Sequence, residues 1–293
     1  MVAVQLQNKN LPGLLPAALM QNQSTLNPTS AQLVPTQQVV QSSTLAQLSL
    51  LSAADPRRTS LQNFIAQGFA AAYGANVQKF MPDLLAVSVR GEWQAVLGIR
   101  SGQNQRLFVE QYLDADICTV LQSAGVQTKR DAVVEIGNLF SANRQYTLLL
   151  FVVLAYALHQ LGYRQLVCCA TEQVQALLSR HGLVLTYLAD GDASRLGEAA
   201  SQWGSYYQSH PKVCALDLTA AMTLIAESPR LLALPHQYWP ALHATVTGLS
   251  LENHSYTTAA DSSPLPDRCQ SQHRPLVVTE SKTQSLVQHG AYA

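Results

Sequence analysis

The chain has 293 residues, of which 47% are hydrophobic and only 12% charged. Eighteen basic residues balance eighteen acidic ones, so no general electrostatic pull acts toward nucleic acid or an anionic membrane. The most apolar run, residues 147–158, is shorter than the ~20 residues a spanning helix needs and reads as a buried core helix.

The five cysteines, Cys118, Cys168, Cys169, Cys214 and Cys269, show no paired spacing. They read as free thiols in a reducing, cytoplasmic compartment. No metal-ligand spacing appears anywhere, so no metal is expected. The N-terminus lacks the charged and continuous apolar regions of a signal peptide. Between Lys9 and Asp55 there is no charged residue, and Gln, Ser, Thr, Leu and Pro dominate. Residues 1–55 therefore read as a disordered extension.

Asp55-Pro56 marks a boundary, and residues 56–228 read as one domain. From Thr59 a helix is expected, with Leu61, Phe64, Ile65, Phe69 and Ala72 on one face and Gly74 as its stop. Residues 84–89 and 93–99 flank the turn Arg90-Gly91-Glu92 and read as a hairpin. Residues 107–112 read as a third strand, and Asp114 or Asp116 caps a short helix through Leu121. The centre of the chain then reads strand (132–139), polar turn (140–145), helix (146–161), strand (165–170), helix (172–181) and strand (183–188). Beyond it, 194–207 reads as a helix, 213–218 as an edge strand and 220–226 as a short helix. Periodicity fades after Ser228, and residues 229–293 read as a poorly ordered tail. The fold class is α/β, a mixed sheet flanked by helices.

This order of elements looks like the GNAT acyltransferase fold. The strings Phe80-Met81-Pro82-Asp83-Leu84-Leu85, Leu97-Gly98-Ile99-Arg100, Leu107-Phe108-Val109-Glu110-Gln111-Tyr112-Leu113-Asp114 and Val134-Glu135-Ile136-Gly137-Asn138-Leu139 resemble the bacterial thermostable hemolysin family. So do Arg195-Leu196-Gly197 and Trp203-Gly204-Ser205-Tyr206-Tyr207. The resemblance covers about residues 59–220, and that family is similar in layout to the acyl-homoserine-lactone synthases. It implies transfer of an acyl group from a thioester to a small amine or hydroxyl acceptor. The donor would be the phosphopantetheine of an acyl carrier protein, or acyl-CoA. The family name instead implies haemolysis, so a membrane-active protein without enzymatic activity is the alternative. GNAT enzymes usually carry a glycine-containing loop before the helix. Here that stretch, 140–146, has no glycine, which lets a backbone approach a pyrophosphate less closely and favours the carrier-protein donor.

Glu135 is a carboxylate inside an apolar strand. Burial would raise its pKa and suit it to act as a general base, or it forms an ion pair with Arg100 or Arg130, or it is simply exposed at a strand edge. Arg100 and Glu110 either line an acceptor pocket, Arg100 reaching a carboxylate, or bridge to each other. Asn138, Leu139, Ser141, Asn143, Arg144, Gln145 and Tyr146 lie at a strand end and a helix N-terminus. There they either bind the donor's phosphate or form an ordinary cap turn. The strands at 133–139 and 165–170 are expected to part, so that their free backbone groups bind the pantetheine amides.

Overall fold

The computed structural model describes residues 5–6, 46–103 and 105–258. Most of the extension expected over 1–55, the residues beyond 258 and Cys269 lie outside the described residues. A short strand, β1 (Gln5–Leu6), and a longer one, β2 (Gln47–Leu51), precede helix α1 (Arg58–Tyr73). α1 buries Leu61, Ile65 and Phe69 and stops at Gly74, whose φ of 65° returns its N–H to the last turn, as anticipated. The hairpin follows as β3 (Asp83–Val89) and β4 (Glu92–Ser101), turned by Arg90 and Gly91, both at positive φ.

The strand expected over 107–112 is instead a 3-10 turn, Phe108–Gln111. Its residues have high strand propensity, but Glu110 folds back to accept the Leu107 N–H, and that local bond wins. α2 (Ile117–Ser123) is capped by Asp116, which accepts from the Cys118 and Thr119 N–H groups. Then come β5 (Val133–Ser141), buried along its whole length, and α3 (Arg144–Gln160). α3 is apolar on nearly every side, because it packs against α-helical neighbours as well as the sheet.

β6 (Gln165–Ala170) and α4 (Glu172–Arg180) fall where the pattern placed them, and β7 (Leu185–Asp190) starts and ends two residues later than the strand expected over 183–188. The helix expected over 194–207 is two 3-10 stretches, Ala193–Trp203 and Tyr206–Ser209, broken at Gly197 and Gly204 where φ turns positive. β8 (Lys212–Asp217) is not an edge strand. It lies between β6 and β7, and its buried run Val213–Leu216 is what an internal position requires. α5 (Leu218–Glu227) follows. The poorly ordered tail expected from 229 begins instead with α6 (Pro229–Gln237) and α7 (Trp239–Thr258). Ser228 caps α6 and Pro229 opens it, a start signal that fading periodicity concealed. These helices contact α3, so the packed unit runs past residue 228.

The strands form one mixed sheet in the order β2-β3-β4-β5-β6-β8-β7, with β1 added beside β5. Along this path only β5 and β6 run parallel, between antiparallel ribbons on either side. This is the mixed α/β sheet anticipated. α3, α5, α6 and α7 pack on one another, whereas α1 meets an aromatic cluster through Phe69 and Tyr73.

Candidate active site

The site grows from one irregularity in β5. Along the β4 ladder, Val96 faces Phe140 but Gly98 faces Gly137, so three steps of β5 oppose two of β4. The extra residue makes a β-bulge, and Asn138 sits in it with φ of 49°. Asparagine tolerates this left-handed conformation better than most residues. Its side chain is fixed as well: Oδ1 accepts the Met81 N–H at 2.8 Å, and Nδ2 donates to the Lys79 carbonyl at 3.3 Å. Gly98 makes room, since a Cβ there would lie 2.5 Å from the Met81 side chain and 3.2 Å from Asn138 Oδ1.

A bulge bends its strand, and β5 parts from β6 at this end. The two pair over Val133–Gln165, Val134–Leu166 and Glu135–Val167 only, although β6 continues to Ala170 and β5 to Ser141. Glu135 is thus the last paired residue before the gap. Its side chain is fully buried. Oε2 accepts the Phe108 N–H at 2.9 Å and Oε1 the Val109 N–H at 2.8 Å, so the opening N–H groups of the 3-10 turn converge on this carboxylate. Arg100 stands opposite on β4, its Nη1 3.6 Å from Oε2. Burial raises the Glu135 pKa above the usual carboxylate value, with the backbone N–H groups and Arg100 opposing it. Arg100 Nε is buried, and among the described residues it finds no hydrogen-bond acceptor.

Glu110 does not pair with Arg100. Arg130 grips it with both terminal nitrogens, at 2.6 and 2.8 Å, and the Leu107 and Ile117 N–H groups complete the set. A carboxylate has about four lone-pair sites, and here each has a donor. Burial pushes the Glu110 pKa up, but Arg130 and the two N–H groups outweigh it, and the net shift is downward. Glu110 fixes the turn and has nothing left to offer an acceptor.

The seven residues expected to bind the donor separate into two groups. Leu139 is buried in the core, and Asn138 is committed to the bulge. Ser141, Asn143, Arg144, Gln145 and Tyr146 do gather at the end of β5 and the start of α3. Asn143 is the cap, accepting the Gln145 N–H at 3.1 Å, and its carbonyl takes the Tyr146 N–H at 3.1 Å. Ser141 Oγ donates to the Asn143 carbonyl at 2.6 Å. Arg144 is exposed at the first helical position.

Sequence reasoning missed the tyrosines. The Tyr112 and Tyr207 hydroxyls meet at 2.7 Å, and the Tyr206 hydroxyl donates to the Cys169 carbonyl at 3.4 Å. Burial raises the Tyr112 pKa, and neighbouring Cys169, Tyr207 and Glu135 raise it further, so this hydroxyl keeps its proton. The tyrosines are far apart in sequence and carry no spacing pattern; only the aromatic density of 203–207 hinted at them. Tyr112 also lines a surface cleft of about 370 Å³ with Asp114, Tyr187, Asp190, Asp192 and Arg195. Among the described residues no group of three or more His, Cys, Asp or Glu side chains could hold a metal, and no helix is long and apolar enough to cross a membrane.

A mixed sheet with one parted parallel pair and a carboxylate at the fork defines an α/β protein. The chain matches the family described as Thermostable hemolysin over residues 51–222, more than half its length, and belongs to it. No curated protein matches the sequence. The fold is similar to that of FeeM, an N-acyl amino acid synthase from uncultured soil microbes, at 12% identity and a TM-score of 0.45, covering 62% of this chain and 96% of that one. It is similar to the AHL synthase LasI at 13% identity and a TM-score of 0.43, covering 59% and 89%. The CoA-dependent acyl-homoserine lactone synthase BjaI, solved with SAM and isopentyl-CoA, gives 10% identity and a TM-score of 0.41, covering 64% and 89%. At these values the likeness carries neither a substrate nor a reaction to this chain.

Proposed function

We propose that the protein is an acyltransferase that moves an acyl group from a phosphopantetheine thioester to a small amine or hydroxyl acceptor. The observation that carries this reading is the parting of β5 and β6 directly after Glu135. Two strands that separate while still extended turn backbone N–H and C=O groups toward a gap, which suits an extended arm bearing amides. From Glu135 to Ser141 the strand rises on the order of 20 Å, about the reach of an extended pantetheine arm. The phosphate would then lie by Ser141, Asn143 and Arg144, with Arg144 supplying the charge. An acyl carrier protein is the favoured donor, since no glycine opens this turn to the larger pyrophosphate of coenzyme A.

In the reaction the acceptor's nitrogen or oxygen attacks the thioester carbonyl carbon. The new C–N or C–O bond forms as the C–S bond breaks. Each oxygen of Glu135 keeps a lone pair beyond the N–H it accepts, and its raised pKa suits it to take the acceptor's proton. Arg100, with its uncommitted Nε–H, orients the acceptor. The departing thiolate takes a proton from water. No covalent enzyme intermediate is required.

The family's name offers direct lysis as a second reading, but no observation among the described residues favours it. The test is incubation with a panel of acyl-carrier thioesters and amine or hydroxyl acceptors, followed by intact-mass analysis of products. Acylated acceptor with release of free thiol is expected. Lysis of red cells by purified protein without any thioester, and no acylated product, would overturn the proposal.

A further inference from the structure

β1 pairs in parallel with β5, Gln5 beside Phe140 and Leu6 beside Ser141. That is the stretch β6 has already left, between the bulge at Asn138 and the α3 cap at Asn143. The backbone at 5–6 also contacts α4 and α1, so it lies between the helices that border the gap. The groups on β5 that would bind a pantetheine arm next to its phosphate are therefore the ones β1 uses. We infer that β1 is a resident occupant of the cleft, an internal strand that the donor's arm must displace. The inference rests on the acyl-transfer reading for the identity of the competitor.

Two features make β1 displaceable rather than a fixed member of the sheet. Its pairing spans two residues, well below the usual strand length of about five. It is also separated from β2 by residues 7–46, so among the described residues releasing it breaks no other ladder. The occupied form lowers the apparent affinity for the donor by the fraction of molecules whose cleft is open.

The experiment uses the full chain as wild type, as Gln5→Pro/Leu6→Pro and as Gln5→Ala/Leu6→Ala. Proline removes ladder N–H groups, whereas alanine leaves the backbone able to pair. Amide exchange of the segment holding Phe140 and Ser141 is followed without any thioester, and binding of octanoyl-phosphopantetheine is then titrated. The proline variant should exchange faster at 140–141 and bind about tenfold tighter, with the alanine variant close to wild type. Unchanged exchange, or faster exchange with unchanged affinity, overturns the inference and leaves the acyl-transfer reading intact. Faster exchange with no binding by any of the three chains overturns the competition together with that reading. Exchange across α3 reports whether the fold survives; if it rises, the single variant Leu6→Pro decides by the same two readouts.

Discussion

Glu110 and Glu135 are both buried carboxylates, both bound to the same 3-10 turn, and the sequence alone treats them alike. The structure separates them by their donors. Glu110 has a bidentate guanidinium and two backbone N–H groups, and its pKa is lowered. Glu135 has two N–H groups and an arginine nitrogen 3.6 Å away, and its pKa is raised. A saturated carboxylate builds structure, whereas one buried with lone pairs to spare can hold a proton.

The comparison breaks first at Glu110. Replacing it with alanine leaves Arg130 and two N–H groups without their acceptor, at a cost of about 3–5 kcal/mol, seen as a drop in Tm on the order of 10 °C. Thermal unfolding checks this; a loss below about 1 kcal/mol would mean the pair behaves like an exposed one. Glu135→Gln keeps the side-chain shape but leaves one of the two backbone N–H groups without an acceptor; it should slow thiol release from an acyl thioester by ~100-fold or more, with a loss of about 1–3 kcal/mol in stability. A variant that transfers acyl groups at full rate would remove Glu135 from the chemistry.

Asn138→Ala tests what sets the bulge in β5. It loses the acceptor of the buried Met81 N–H and places alanine at φ of 49°. A loss of ~1–3 kcal/mol is expected, with Asn138→Gly losing less because glycine accepts the conformation. Equal losses would show that the hydrogen bond, not the backbone angle, sets the bulge.

The smallest effects come from pH. The folded-state pKa of Glu110 is lowered, so its contribution is complete above the usual carboxylate range and is lost as pH falls through that lowered value. For Glu135 the sign reverses. Its folded-state pKa is raised, so stability falls as pH climbs from the usual range through the raised value. Tm measured against pH should therefore show Glu110→Gln flattening the acid limb and Glu135→Gln removing a decline at higher pH. Identical profiles for the two variants would contradict the difference in their surroundings.

Much of this arrangement was legible in the sequence, because it is local. Gly74 ends α1, Asp116 caps α2, and the spans of β6 and α4 follow directly from their apolar patterns. What escaped depends on distant partners. Residues 107–112 read as a strand until Arg130 and the fold-back of Glu110 make them a turn. β8 lies inside the sheet because β7 takes the edge; its apolar run 213–216 suits that place, but the strand that flanks it is set by residues outside 212–217. In the site, the apolar surroundings marked Glu135, but the Glu110–Arg130 pair needed coordinates. So did the sorting of Asn138 and Leu139 away from the α3 turn.

One buried cation at the start of α1 has a practical consequence for anyone trimming the protein. Arg58 donates to the carbonyls of Leu51, Met81 and Pro82, and Met81 in turn donates its N–H to Asn138. A chain cut at the compositional boundary near Asp55 would discard β2 and strand that guanidinium with one acceptor fewer, two contacts from the fork in the sheet. The region shared with the family begins at residue 51, the last residue of β2, so a fragment drawn to those limits keeps the Leu51 acceptor but loses the rest of the strand that pairs with β3. Activity lost on such shortening would report a damaged scaffold, not a missing catalytic group.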